Sequence, residues 1–406
     1  MKRFLTLSAL SFIILIGFSG IDKLFAQNYY ITADTLYTMA GDPVIDGVVL
    51  VKNGKIERTG KASSIKKPKG YEELSAVVVT PGFIDAHSVV GLAGIYNQDA
   101  DQDQLETSDP IQPELRAYDA YNAREDLVVF LRNLGITTVH TGHGPGALIS
   151  GQTMIVKTTG ETVDEAVIKP QHMVAMTLGS NLDSDFSKPG TRAKQVAMLR
   201  ETFVKGQQHL QKTKDERKEK RDLKMEVIAD LLEGKLSALV TVHKAQDIMT
   251  AIRLSEEFGF DLVLDGAAEA YTLLDEIKEA GVPVVVHPTM IRTYGDATHA
   301  TLDNAAKLHK AGIPFYFQSG YEGYVPKTRV VTFEAAVAVA NGLDRTAALK
   351  ALTIQAAKFL GLAKSVGSLE KGKDADIVLY NGDPFEYTTN VEKVLINGKI
   401  VAEEGI

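Results

Sequence analysis

Val79-Thr80-Pro81-Gly82-Phe83-Ile84-Asp85-Ala86-His87 is a largely apolar, β-branched run that closes on a carboxylate and a histidine. Uninterrupted apolar runs of this kind suit strands buried on both faces, so a strand is expected over Val77–Ile84. Similar runs follow at Ile136–His140, Met154–Lys157, Val174–Thr177, Leu236–Val242, Asp261–Leu264, Val282–His287 and Ile313–Gln318. Periodic apolar helices fall between most of them, for example Lys244–Phe258, Ala268–Ala280 and Leu302–Ala311. Such alternation builds a parallel sheet in an α/β fold. Eight strands suit a (β/α)8 TIM barrel, with an open doubly wound sheet as the alternative.

Outside this middle the chain changes character. Tyr29–Leu36 and Val48–Val51 are short β-rich runs, the second followed by Asn53-Gly54-Lys55-Ile56; near the other end Val391–Ile396 leads into Asn397-Gly398-Lys399-Ile400-Val401. Asn-Gly between apolar runs is the strongest short-range hairpin signal. The two ends, 27–78 and 365–406, are therefore expected to assemble one small β-sandwich domain beside a barrel of residues 79–364. Within the barrel, residues 191–234 are highly charged, and Val196, Leu199, Phe203 and Leu210 give a helix there one apolar face. The expectation is a solvated helical insertion, with a partner-binding face as the alternative.

The 406 residues carry 44 Lys+Arg, 52 Asp+Glu and no Cys, with 45% hydrophobic residues and a net charge of −8. That apolar fraction excludes a wholly disordered chain. The absence of Cys excludes disulfides, thiolate nucleophiles, Fe–S clusters and Cys-ligated zinc. The acidic balance argues against nucleic acid as a partner, since phosphate binding needs a basic face. Lys2-Arg3, the apolar run Phe4–Phe18 and the small Ala26 before Gln27 read as an export signal over residues 1–26. The expected location is outside the cytoplasm, periplasmic or secreted, without stable membrane insertion once the signal is removed; a retained N-terminal anchor is the alternative.

Several stretches together resemble the amidohydrolase superfamily, close to its imidazolonepropionase-like members. Val79–His87 is similar to the family's first barrel strand, and Thr107-Ser108-Asp109-Pro110 with Pro113-Glu114-Leu115-Arg116 to the loop after it. Gly135-Ile136-Thr137-Thr138-Val139 and then Gly151-Gln152 resemble the following strands. Leu360-Gly361-Leu362, the run Gly367-Ser368-Leu369-Glu370-Lys371-Gly372-Lys373-Asp374-Ala375-Asp376-Ile377 and Asp383-Pro384 resemble the return to the small sheet domain. The resemblance covers nearly all of the chain beyond the signal and implies the barrel. It also implies hydrolysis of non-peptide C–N bonds in amides or cyclic amides. In such enzymes one or two metal ions sit at the barrel mouth, held by His-x-His after strand one, single histidines after strands five and six, and an Asp after strand eight. The metal lowers the pKa of its water to about 7 and polarises the carbonyl, while the Asp carries the proton.

This chain departs from that pattern. His87-Ser88-Val89 keeps the first histidine and puts valine at the second. After strand five, Val240-Thr241-Val242-His243 places Thr241 at the ligand position, or His243 if the register slips. After strand six stands Leu264-Asp265-Gly266-Ala267, and after strand eight Gln318-Ser319-Gly320, so Gly266 and Gly320 bring no side chain. Zinc needs three or four protein donors, and at most two remain, His87 and His243. No cofactor is therefore expected; an active form would need a divalent metal such as zinc.

Other residues widen the candidate pocket: His87, His140, Thr241, His243, Gly266, His287 and Gly320 would line the mouth. A relocated His-rich site could draw on His140, His143, His172 or His287, and Lys157 could serve as a base if buried. Asp99, Asp101, Asp103 and Glu106 alternate like a calcium loop, but Gln104 stands where such a loop needs glycine, and a solvated acidic loop is the better reading. The first expectation is thus a pseudoenzyme that partners an active amidohydrolase paralogue or forms a homodimer. The rivals are an active C–N hydrolase with a relocated or single-metal site, and a binding protein for a small molecule.

Overall fold

The computed structural model describes residues 27–96, 98–180, 182, 186–212, 215–216, 220–289, 291, 295–320 and 330–403. The expected export signal and part of the charged run Lys212–Lys224 lie outside the described residues. Strands β1 (Tyr29–Leu36), β2 (Val44–Lys52), β3 (Lys55–Lys61) and β4 (Glu72–Pro81) come first. The middle holds β5 (Phe83–Ser88), β6 (Ile136–Thr141), β7 (Ile149–Gln152), β8 (Met154–Lys157) and β9 (Val167–Lys169). It continues with β10 (Met173–Thr177), β11 (Ser237–Val242), β12 (Leu262–Gly266), β13 (Val284–Val286) and β14 (Phe315–Phe317). Strands β15 (Ile377–Tyr380), β16 (Val391–Ile396) and β17 (Lys399–Glu403) come last.

Both chain ends share one sheet, in the order β17-β16-β15-β4-β1-β2-β3. Its ladders draw one continuous seven-stranded sheet where a sandwich of two is expected. Both Asn-Gly signals are two-residue hairpin turns: Lys52 pairs with Lys55, and Ile396 with Lys399. Asn53 and Gly54 have φ of 51° and 79°, Asn397 and Gly398 of 53° and 70°, the paired positive values that let a tight turn follow the strand twist. The two turns also touch. A Cβ on Gly54 would lie 2.6 Å from the Asn397 carbonyl oxygen, and one on Gly398 would lie 2.6 Å from Gly54 Cα.

The run expected as one strand, Val77–Ile84, is divided at Gly82. Val77–Pro81 finish β4 in the seven-stranded sheet, and Phe83 begins β5. A Cβ on Gly82 would fall 2.0 Å from Thr137 Oγ1, so β6 packs close to this junction only because it lacks a side chain. The middle strands form a four-stranded sheet, β5-β6-β8-β9, and a six-stranded sheet, β14-β13-β12-β11-β10-β7. The pair β5–β6 and the series β10 to β14 are parallel, as expected. The third expected strand is not: β7 and β8, successive around Thr153, run antiparallel to β10 and β6. Thr153 stitches the two sheets, its N–H donating to Met173 O and its carbonyl accepting from His172 N. At the other border, Ser88 at the end of β5 bridges to Gly320, beyond β14.

The charged insertion contains helices Arg192–Gln211 and Leu223–Leu232. Its apolar face is not free. Leu199 and Phe203 are fully buried, and the Phe203 ring packs tilted, 5.0 and 5.2 Å between centroids, against those of Phe258 and Phe260, at the end of helix Ala245–Phe258 and just beyond it. Burying one such aromatic contributes about 1.5–3 kcal/mol, which ties the insertion to the middle sheet's helical layer. Among the described residues no helix is long and apolar enough to cross a membrane.

Candidate active site

Parallel strands deliver the residues at their C-terminal ends to one end of the sheet, which is where β5, β11, β12 and the segment after β14 meet through side chains. His87 Nδ1 lies 3.0 Å from Asp265 Oδ1, with side chains only 1% and 0% exposed. Thr241 Oγ1 donates to Asp265 Oδ2 at 2.7 Å, and Gln318 Nε2 donates to Oδ1 at 2.7 Å. Burial alone would pull the His87 imidazole down; Asp265 beside it and Asp85 nearby outweigh that and leave it raised. Burial pushes Asp265 up, and the charge and hydrogen bond of His87, with Thr241 and His243, bring it net below the ordinary carboxylate range. Each group thus favours the charged form of the other. Beside it, burial lifts Asp85 to about 7 despite hydrogen bonds from Ser319 and the His87 backbone. Asp85 Oδ1 accepts from the N–H groups of His87 (3.3 Å) and Ser319 (3.1 Å), and Oδ2 has no hydrogen-bond partner among the described residues.

Sequence reasoning placed Thr241 and His87 here but missed Asp265, Gln318, Ser319 and Asp85. The available signal was a carboxylate ending an apolar run, Leu262-Val263-Leu264-Asp265. Gly266, expected at a ligand position, has a different role. Its φ is +74°, and a Cβ there would lie 2.5 Å from His243 Cε1, so it lets the His243 ring pack against the backbone. Gly320 supplies the backbone bridge to Ser88.

The other histidines do not converge on one metal position. His140 Nδ1 is 2.8 Å from Ala86 O and Nε2 is 2.6 Å from Thr153 Oγ1, so both ring nitrogens are engaged, and burial holds it well below the ordinary histidine value. Burial lowers His143 and His172 to about 4. His243 is buried and lowered mainly by that burial. Lys157 is no free base: its Nζ contacts Asp374 at 2.8 Å and Asp376 at 3.1 Å and bonds Asn397, clamping β8 to the C-terminal strands. In the acidic loop, Asp101 Oδ1 accepts from the Gln98 N–H and Glu106 Oε1 from the Ser108 N–H, which are local turn contacts.

A second feature lies beside this pair. A tight cavity of about 20 Å³ opens between His243, Gly266, His287, Ala300, Thr301 and Asn304. His287 Nε2 stands 3.1 Å from Glu334 Oε1, a close contact without hydrogen-bond geometry. Glu334, fully buried on helix Val331–Ala340, accepts from Thr289 N at 2.9 Å and from Thr289 Oγ1.

The metal implied by the family resemblance does not fit these residues. Among the described residues no three His, Asp or Glu side chains are placed to hold an ion. Asp265, the carboxylate best placed to ligate, is already filled by His87, Thr241 and Gln318. What the arrangement offers instead is a buried charge pair and an adjoining polar cavity.

The amidohydrolase family model matches residues 78–401. The solved structure of an amidohydrolase from Thermotoga maritima superposes with a TM-score of 0.85 at 32% identity, covering 92% of this chain and 100% of that one. The amidohydrolase tasK of Hapsidospora irregularis is 23% identical over 388 residues, 87% of this chain, which spans only 39% of that protein's length. An imidazolonepropionase of Shouchella clausii is 31% identical over 144 residues, 33% of this chain and 31% of that protein. The structure of molinate hydrolase, at 16% identity and a TM-score of 0.58, shares the fold. With the family pattern running through most of its length and into all three sheets, the chain belongs to the amidohydrolase family, a family of hydrolases.

Proposed function

We propose that this amidohydrolase-family protein has lost the metal-dependent hydrolytic step and acts as an exported pseudoenzyme, holding a small molecule or supporting an active paralogue. One observation carries the reading: Asp265, next to the position where the resemblance puts a metal ligand, is spent on His87, Thr241 and Gln318. A charge pair buried this completely resists opening, because removing either partner leaves an uncompensated charge. The same reading takes the two middle sheets as one (β/α)8 barrel that closes at Ser88–Gly320, with the sheet from both chain ends as its small companion domain. The family activity, hydrolysis of C–N bonds in amides or cyclic amides, is the second reading, and membership of a hydrolase family favours it. Incubating the mature protein with a panel of small lactams and cyclic ureas, with and without added zinc, separates the two. The pseudoenzyme reading expects no turnover above the uncatalysed rate. Turnover that disappears with a chelator and in His87→Ala would overturn it.

A further inference from the structure

A separate cavity of about 410 Å³ lies in the outer layer, between helices Arg192–Gln211 and Ala245–Phe258. None of Asp85, His87, Thr241, Asp265 and Gln318 lines it. Two ion pairs span the helices and frame it. Near the start of both, Arg192 Nε and Nη2 donate to Asp247 at 2.8 and 3.0 Å. Further along, Arg200 Nε and Nη2 donate to Glu257 at 2.9 and 2.8 Å. The order of these pairs sets the helices side by side in the same direction, and Phe203 against Phe258 closes the gap beyond the second pair. Gln195, 5% exposed, stiffens one wall: its Nε2 donates to Gly179 O at 2.6 Å and its Oε1 accepts from Gly179 N at 3.1 Å. Leu178, Val196 and Leu254 add apolar surface.

The charges on these walls do not balance. Arg192, Arg200 and Arg253 line the cavity, with Asp247 as the one carboxylate among the described lining residues. Arg192 and Arg200 each meet the carboxylate they bind, and Asp296, which also touches Arg192 at 3.2 Å, has Lys244 at 3.8 Å as its second cation. Arg253 makes no ion pair among the described residues, and Glu257, one helical turn on, is taken by Arg200. Arg253 Nη2 donates to Thr250 Oγ1 at 2.9 Å, and that hydroxyl donates onward to Gln246 O at 2.8 Å. The guanidinium is thus tethered to a neighbour that also lines the cavity, while its charge is left without a counterpart.

We propose that this cavity binds a small organic anion, an apolar body carrying a carboxylate or phosphate head, with the head on Arg253. A guanidinium meets either oxyanion through two N–H···O bonds, and such charge-assisted bonds are stronger than neutral ones. The volume lies within the range of about 300–1,000 Å³ usual for small-molecule sites, so a body as well as a head is accommodated. Leu178, Val196 and Leu254 would cover that body. A neutral ligand would displace water from Arg253 without offering it a counter-charge.

The test titrates the purified protein with benzoate and with phenyl phosphate, and with benzamide as the uncharged counterpart of benzoate, followed by ligand-observed NMR and thermal shift. Saturable binding of at least one anion is expected, with benzamide inert; the tighter anion identifies the head group. Arg253→Gln, at an exposed position, should weaken binding about tenfold or more, as loss of a charge-assisted contact requires. Ala193→Phe, also exposed and on the lining, should block the cavity while leaving every charge in place. Failure of both anions to saturate, unchanged affinity in either variant, or equal binding of benzamide would each overturn the site. No outcome here depends on metal or on turnover at the strand ends, so this proposal and the pseudoenzyme reading fail separately.

Discussion

Replacing Asp265 by asparagine keeps a group that Thr241 and Gln318 can bond but removes the charge facing His87. Breaking a buried pair from one side costs about 3–5 kcal/mol, so Asp265→Asn should lower unfolding free energy by about 3 kcal/mol in urea titrations. The His87 imidazole should then titrate lower than in wild type in NMR, because only Asp85 would remain to oppose burial. An unchanged midpoint and titration would mean that the pair is not formed. Asp85 gives a second test through pH. Its folded-state value of about 7 lies above the ~3.9 of an unfolded aspartate. Its contribution to stability is thus complete below pH ~3.9 and is lost as pH rises through about 7. Asp85→Asn removes that loss, so the stability of the variant relative to wild type should climb over this window and then level. Measuring both across pH isolates Asp85 from the buried neutral histidines, whose effects cancel in the difference. A flat difference would contradict the buried, raised carboxyl. At this scale the sequence was informative about losses and silent about replacements. Val89 can bind no metal wherever it points, but that Asp265 turns inward to meet His87 depends on the register of β12 against β11.

Among the elements, the two Asn-Gly hairpins were the most legible, because φ > 0 at both turn residues leaves few residue choices. That the turns pack on each other was not, since nothing local in either hairpin encodes a contact between residues more than three hundred positions apart. Gly54→Ala and Gly398→Ala should each cost about 2–3 kcal/mol, from backbone strain and from the 2.6 Å clash. Gly281, with φ of 68° and nothing within 4 Å, is the control: Gly281→Ala should cost only about 1 kcal/mol. Equal thermal shifts at the three positions would show that the turns do not touch. The antiparallel course of β7 and β8 was also beyond the sequence reading. A short apolar run such as Met154–Lys157 marks a buried strand without giving its direction, which the ladder to β6 sets.

For the whole molecule, the sequence located most of the strands, whereas their grouping into three sheets and the contacts that join them are long-range. Lys157 shows this: a lysine ending an apolar run reads as a candidate base or a snorkelling side chain, yet it ties β8 to Asp374 and Asp376. With Lys157 10% and Asp376 4% exposed, Lys157→Met should strand the Asp376 carboxylate, Asp374 keeping Lys55, and cost about 3–5 kcal/mol. Limited proteolysis should then cut first around the 365–376 segment; digestion identical to wild type would show that the clamp does not hold the end strands. The charged helices Arg192–Gln211 and Leu223–Leu232 fit the same pattern, legible as amphipathic but with their partner, Phe258 and Phe260, visible only in the fold.

The proposed loss of metal chemistry is most directly exposed by elemental analysis of the protein purified without chelator and exchanged into metal-free buffer. The account predicts zinc, manganese, iron, cobalt and nickel together well short of one ion per chain, with no change in His87→Ala. Near-stoichiometric metal that disappears in His87→Ala would contradict it.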